Sequence, residues 1–381
     1  MWKNKLNEKI IIINVKNDTI ISTFDIQTLN LTKYKNYFIG KKLKSYNFDD
    51  NITIINYNGN ENYDVLIEKV LHDVFHTLQK KINLNGNTYS ANFLANDSSR
   101  IFLRLEWDYL FNALIEKNND KKQCLIDTAE FFRNYRRNLY LGADTIENRF
   151  EIIEGTAQFT GFYLYSLMEK NRDSIFLSKI ADFKEWLETS QDYTKNYGYL
   201  TGLLYCALLN QYSNDWTSNL NKNSDLCHLL LEYTKGKSII FDIKNLLKLP
   251  KYQKIELSEK IIFKERNNKI IAIKKQYDNS SLLILPLEKA KIKFNPSTFL
   301  YIDLLGNYCP FFSISAEWGI LEVKNGGIFS NDNHLIIPVS NIKIDKQTIK
   351  DNDNWELILS ENYFLVKENN NYKIKINKTN N

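Results

Sequence analysis

Two histidines four residues apart, His72 and His76 in HDVFH, form the pair in this chain whose spacing best suits metal chemistry. At 3.6 residues per turn an i, i+4 pair stacks on one face of a helix, so both imidazoles can close on one ion. Asp73 is the carboxylate beside them, while Leu71, Val74, Phe75 and Leu78 give such a helix an apolar side to anchor it. Downstream, Glu147, Glu151 and Glu154 fall at i, i+4 and i+7, and Gln158 continues the stripe. Like charges at helical spacing repel by about 0.2–0.5 kcal/mol per pair. A divalent cation or a buried arginine beside them would turn that repulsion into a site. Arg136 and Arg137 could neutralise the carboxylates, and Gly155 and Ala157 would let their helix approach another backbone closely.

HDVFHTLQ followed by IEGTAQF resembles the gluzincin metallopeptidases, in which an HExxH helix gives two histidine ligands and a second helix gives a glutamate, often as EGxA. The resemblance implies zinc held by His72, His76 and Glu154, with Glu151 as the alternative ligand and Glu147 as an outer partner or a partner for an arginine. YLTG is similar to the YxxG segment that places a catalytic tyrosine near the metal, which implies that Tyr199 donates a hydrogen bond to the oxyanion; a core or surface role for Tyr199 stands beside it. The stretch from RLEWDYLFNAL to NWELIL is similar to bacterial proteins of the same metallopeptidase-like kind.

The implied chemistry is metal-assisted hydrolysis of a peptide or amide bond. Zinc with an open fourth position lowers the pKa of bound water to ~7, and Asp73 removes its proton. Three departures bear on this. Asp73 stands where HExxH has Glu and is one methylene shorter, while a base must come within roughly 2.6–3.2 Å of the group whose proton it takes. The interval from His76 to Glu154 holds two extra helices, and no GxMEN-like segment for a substrate amino terminus is present. Two readings follow: a zinc-dependent peptidase or related hydrolase, and a degenerate relative that binds metal, peptide or a protein partner without efficient turnover. A helical scaffold without metal requires both the histidine pair and the glutamate stripe to be accidental.

The elements that must position these residues change along the chain. Residues 9 to 58 hold short β-branched runs (KIIIINV, TIISTFDI, ITIINY) separated by Asn, Asp and Gly, which predict a small N-terminal β-region over 1–60. From Tyr63 apolar residues recur every three or four positions, through Leu66, Val70, Val74, Leu78 and Ile82, and four later segments repeat that period. A mainly helical domain is expected over 61–250. All five prolines lie at Pro250 or beyond, and short runs such as LLILPL, HLIIPV and WELIL predict a C-terminal β-domain over 251–381, folded as a sandwich. The fold class is α+β.

Composition narrows the partners. Fifty basic and 45 acidic residues are scattered without a basic block, so a peptide or protein substrate is expected and nucleic acid is not. The longest early apolar run, Ile10 to Val15, is too short for a secretory core, and no run reaches the ~18 residues of a membrane span. A cytoplasmic location is expected from the sequence as written, although a chain lacking its leader would read the same. Cys124, Cys206, Cys227 and Cys309 form no CxxC pair and read as reduced thiols. His228 and His334 lack convergent partners, and no GxGxxG or nucleophile elbow is present.

Overall fold

A computed structural model describes residues 2, 9–14, 19–22, 52–57, 62–236, 242–294, 298–352 and 354–377. The chain is α+β, with a small N-terminal sheet, a helical centre and a C-terminal region of two sheets. It divides into two compact units, with the division between Ile262 and Phe263.

In the first unit the early β-branched runs become β1 (Lys9–Asn14), β2 (Thr19–Ser22) and β3 (Ile52–Tyr57). β1 lies in the middle, antiparallel to β2 and parallel to β3. The helices follow: α1 (Tyr63–Lys81), α2 (Asp97–Ile115), α3 (Asn119–Asn138), α4 (Ala143–Phe150), α5 (Thr156–Leu167), α6 (Arg172–Glu188), α7 (Tyr197–Tyr212) and α8 (Leu226–Thr234). Helix α1 starts where the Asn62 side chain accepts from the Asp64 N–H, and it carries Asp64 in its first turn and Lys80 and Lys81 in its last. Both placements favour the helix dipole. Its apolar face, Val74, Phe75 and Leu78, is buried.

Helix α7 is the axis of this unit. From Tyr197 to Leu209 every residue except Tyr199 is buried, large apolar side chains and glycines alike, so the helix is enclosed on nearly every side. Trp107 of α2 donates to Thr201 of α7 at 2.7 Å, so the large indole is buried with its N–H satisfied. Between α4 and α5 the backbone makes a π turn, Glu151–Gly155, in which the Thr156 N–H bonds to the Glu151 carbonyl five residues back.

That turn meets α7 backbone to backbone. A Cβ on Gly155 would lie 2.4 Å from the Gly202 Cα, and one on Gly202 would lie 2.6 Å from the Gly155 Cα. Gly161 does the same for α5 against α1, where a Cβ would stand 3.0 Å from the Glu68 carbonyl oxygen.

The second unit is built on a β-sandwich. In its seven-stranded sheet Ser281–Pro286 lies between His334–Val339, antiparallel, and Asn371–Ile376, parallel. Leu283, Leu285, Leu335 and Ile337 of that sheet share one core with Ile314, Leu321, Ile349 and Leu357 of the six-stranded sheet. Trp355–Leu359 shows the alternation behind this, with Trp355, Leu357 and Leu359 buried and the residues between them less so. Residues 251–278, grouped by sequence with the β-domain, form the 29-residue helix Pro250–Asp278, of which the part from Phe263 on lies in the same unit as the sheets. That helix is rich in Lys and Glu and buries only occasional residues such as Ile255, Glu259 and Ile273, so its amphipathic signal is weak.

Gly202→Ala tests the crossing. Alanine gains about 0.5–1 kcal/mol of helix preference over glycine, but forcing a methyl into the backbone contact costs more, typically about 1–3 kcal/mol. We expect a lower urea midpoint, with a net loss of about 1–2 kcal/mol. Gly86→Ala is the reference, since its nearest neighbour is a side-chain atom at 3.6 Å. Equal midpoints for the two variants would mean that the crossing tolerates a side chain.

Candidate metal centre

His72 and His76 project from one face of α1, and their Nε2 atoms are 3.0 Å apart. The Glu154 Oε2 atom lies 3.5 Å from the first and 3.4 Å from the second. Two ligands bound at ~2.05 Å in a tetrahedron are separated by about 3.3 Å, so the triangle of donor atoms has the size a zinc site requires. Two imidazoles and one carboxylate also match the donor preference of that ion. His72 Nε2 is the atom that meets the other two donors, and its Nδ1 is buried without a hydrogen-bond partner among the described residues.

Gln79 fixes which nitrogen of His76 is free. Its NH2 group donates to the carbonyls of Ile152 at 3.1 Å and Ile153 at 2.7 Å, and to the Thr156 hydroxyl at 2.9 Å. Its Oε1 therefore faces His76 Nδ1, at 2.7 Å, and accepts a hydrogen bond from it. In the neutral imidazole Nε2 then carries the lone pair that a metal would take. One carboxamide, almost wholly buried, thus joins α1 to the π turn that carries Glu154.

The glutamate stripe divides between two partners. Glu154 turns to the histidines. Glu147 accepts from Arg136 and Arg137, each at 2.8 Å, and Glu151 accepts from both terminal nitrogens of Arg133, at 2.8 and 2.7 Å. Glu151, the alternative ligand by sequence, is thereby held in an arginine cluster away from the imidazoles. A guanidinium fork matches a carboxylate at two points, and full burial strengthens the pair relative to water. Arg136 and Arg133 also reach Glu106, which accepts from the Tyr205 hydroxyl. Burial would raise Glu147, but Arg136, Arg137 and Arg133 overcome it and hold the carboxyl at about 2.

Tyr199 joins the centre from α7. Its ring stacks on His72 with centroids 5.8 Å apart and planes 21° from parallel. Burial, then the charge of Glu154 and a hydrogen bond to it, raises the phenol well above its ordinary value, so the hydroxyl is a donor. It reaches this place because Gly198 and Gly202 on either side admit Phe150 and the π turn against α7. Burial also pushes the Asp73 carboxyl up, against the pull of His72 and His76. Burial works against charge on Glu154 as well, yet hydrogen bonds from His72 and His76 hold it far below the usual carboxylate range. For His76, burial opposes protonation but the Glu154 carboxylate outweighs it and raises the imidazole.

No family model, curated protein or solved structure matches the chain. Among the described residues no helix is long and apolar enough to cross a membrane. His228 and His334 stay apart from the centre: the first is exposed beside Glu232, and the second is exposed with its Nδ1 at the Asp332 carbonyl. Sequence reasoning misses Gln79 and Arg133. The signal for Gln79 is its place at i+7 from His72 and i+3 from His76, on the same face as both.

Two outcomes test this geometry. In metal-free protein, nitrogen-detected NMR should find His76 protonated at Nδ1; Gln79→Leu should lose that tautomer and, with carbonyls left unpaired, about 1–3 kcal/mol of stability. Native tautomer and stability in that variant would remove Gln79 from the account. Glu147 has a folded value of about 2 against 4.5 in the open chain, so its stabilisation is full above 4.5 and is lost as pH falls through about 2. The acid limb of the urea midpoint should accordingly be shallower in Glu147→Gln than in the native chain.

Proposed function

We propose that this chain is a zinc-dependent peptidase or related metallohydrolase that cleaves a peptide or amide bond. The observation that supports the reading is the convergence of His72 Nε2, His76 Nε2 and Glu154 Oε2, from two segments far apart in sequence, at the mutual spacing of zinc ligands. Zinc at such a centre supplies a Lewis acid and a water acidic enough to ionise near neutral pH.

The protein's own groups take the remaining roles. Asp73 is the general base, a carboxylate whose burial makes it hold a proton more readily than an exposed one. Tyr199 keeps its proton and donates to Glu154; with Glu154 on the metal, that single proton would turn to negative charge developing on a substrate oxygen. Gln79 keeps His76 in the tautomer that leaves Nε2 free. The resemblance of HDVFH and EGTA to gluzincin segments adds to this reading without depending on the same distances.

Asp73 also favours a second reading, metal binding without efficient turnover, because its shorter side chain sets the base one methylene back from the position that Glu occupies in HExxH. The deciding measurement is metal content of protein purified without chelators, set against His76→Ala and Glu154→Ala. About one equivalent of zinc, lost in both variants, is expected; a native chain that takes up no zinc at neutral pH sinks both readings. A peptide-library assay then separates them. Native activity that falls by about 100-fold or more in Asp73→Asn, in line with the roughly 10²–10⁴-fold that general-base catalysis contributes, identifies an enzyme, whereas an inert native chain activated by Asp73→Glu identifies a lapsed one.

A further inference from the structure

The chain has eight arginines, and seven of them have oxygen acceptors. Arg100 and Arg104 bond Glu259, Arg133, Arg136 and Arg137 bond the glutamates described above, Arg172 pairs with Asp173, and Arg266 donates to the Tyr301 carbonyl. Arg149 is the exception: among the described residues it has no carboxylate or carbonyl partner, although it is half-buried. A guanidinium in that setting presents N–H donors that suit a planar anion.

Its surroundings leave those donors accessible. The guanidinium carbon lies 5.9 Å from the ring centroid of Tyr89, which is 48% exposed. Gly86 stands beside the Nε–H, where even a methyl group would come to 3.6 Å, and the same position borders Ile153 at 3.7 Å. Gly86 and Tyr89 belong to the segment that leaves the end of α1, and Arg149 lies five residues before Glu154, about 7 Å along a helix axis. Of the three candidate ligands His76, the one nearer this end of α1, is the most exposed, its side chain at 31% against 14% for His72 and 17% for Glu154.

We propose that Arg149, with Tyr89 over it and Gly86 beside it, is the subsite for the C-terminal carboxylate of a peptide substrate. The inference rests on the hydrolytic reading of the His72, His76 and Glu154 centre and gives it a substrate class. Two parallel N–H···O bonds select a carboxylate over a neutral amide, and Tyr89 contributes an apolar wall for the last side chain.

The test uses the full chain and three mixed libraries of N-acetylated hexapeptides: free C-terminal carboxylates without Asp or Glu, the same sequences amidated, and amidated sequences containing Asp and Glu. Retention by metal-free protein is read by equilibrium dialysis and mass spectrometry. The free-carboxylate library should be retained about tenfold more than its amidated counterpart, a difference of about 1.4 kcal/mol. Arg149→Gln should abolish the preference and keep native zinc content, and Arg149→Lys should keep part of it. Equal retention of the first two libraries by the native chain overturns the subsite, as does a preference that survives Arg149→Gln. Retention of the acidic amidated library equal to that of free carboxylates overturns the assignment to the chain end in favour of acidic side chains. Should Arg149→Gln fail to fold, the native comparison and Arg149→Lys still decide. A native chain that discriminates but takes up no zinc defeats the proposed function alone; one that binds zinc without discriminating defeats the subsite alone.

Discussion

The π turn at Glu151–Gly155 shifts the backbone out of α-helical register, and the helix can hold that shift only if the displaced carbonyls find donors and the extra width finds room. Gln79 supplies the donors for Ile152 and Ile153. Gly155 and Gly202 supply the room, by letting two helix backbones touch. Arg133 fixes the near end of the turn through Glu151. Glu154 is aimed at the two imidazoles as a result of these three restraints, so the geometry of the centre is inherited from the packing of its second helix.

The same arrangement explains why carboxylates of one stripe behave differently. Glu147 and Glu151 meet guanidinium groups and become part of a buried ionic core, while Glu154, just beyond them across the turn, meets two histidines. In an uninterrupted α-helix the three would remain on one narrow face. The π turn rotates Glu154 relative to the other two, and a row of repelling charges is thereby split into a structural pair and a carboxylate free to face the imidazoles.

Gln79 joins this scaffold to the histidine pair. A carboxylate in its place could accept from His76 but could not donate to the Ile152 and Ile153 carbonyls, and an apolar side chain could do neither. The amide has one accepting and one donating end, which suits a position between an imidazole and a displaced backbone turn. Tyr199 acts from the other side, with its ring against His72 and its hydroxyl toward Glu154. Each of these groups therefore stands against a neighbour anchored in the core of the first unit.

Much of this organisation was legible in the sequence because it is written in local periodicity. The i, i+4 spacing put His72 and His76 on one face, the stripe at Glu147, Glu151 and Glu154 marked a second helix, and the change from period 3.6 to short β-runs separated the helical centre from the C-terminal sheets. Residues 251–278 misled because a polar helix with few buried positions gives a faint period. What the sequence could not decide was which carboxylate faces the histidines, where Gln79 points, or that Arg149 differs from the other arginines in its lack of an acceptor among the described residues. Those depend on a π turn and on glycine contacts between segments tens of residues apart, and such long-range packing leaves no repeating pattern along the chain.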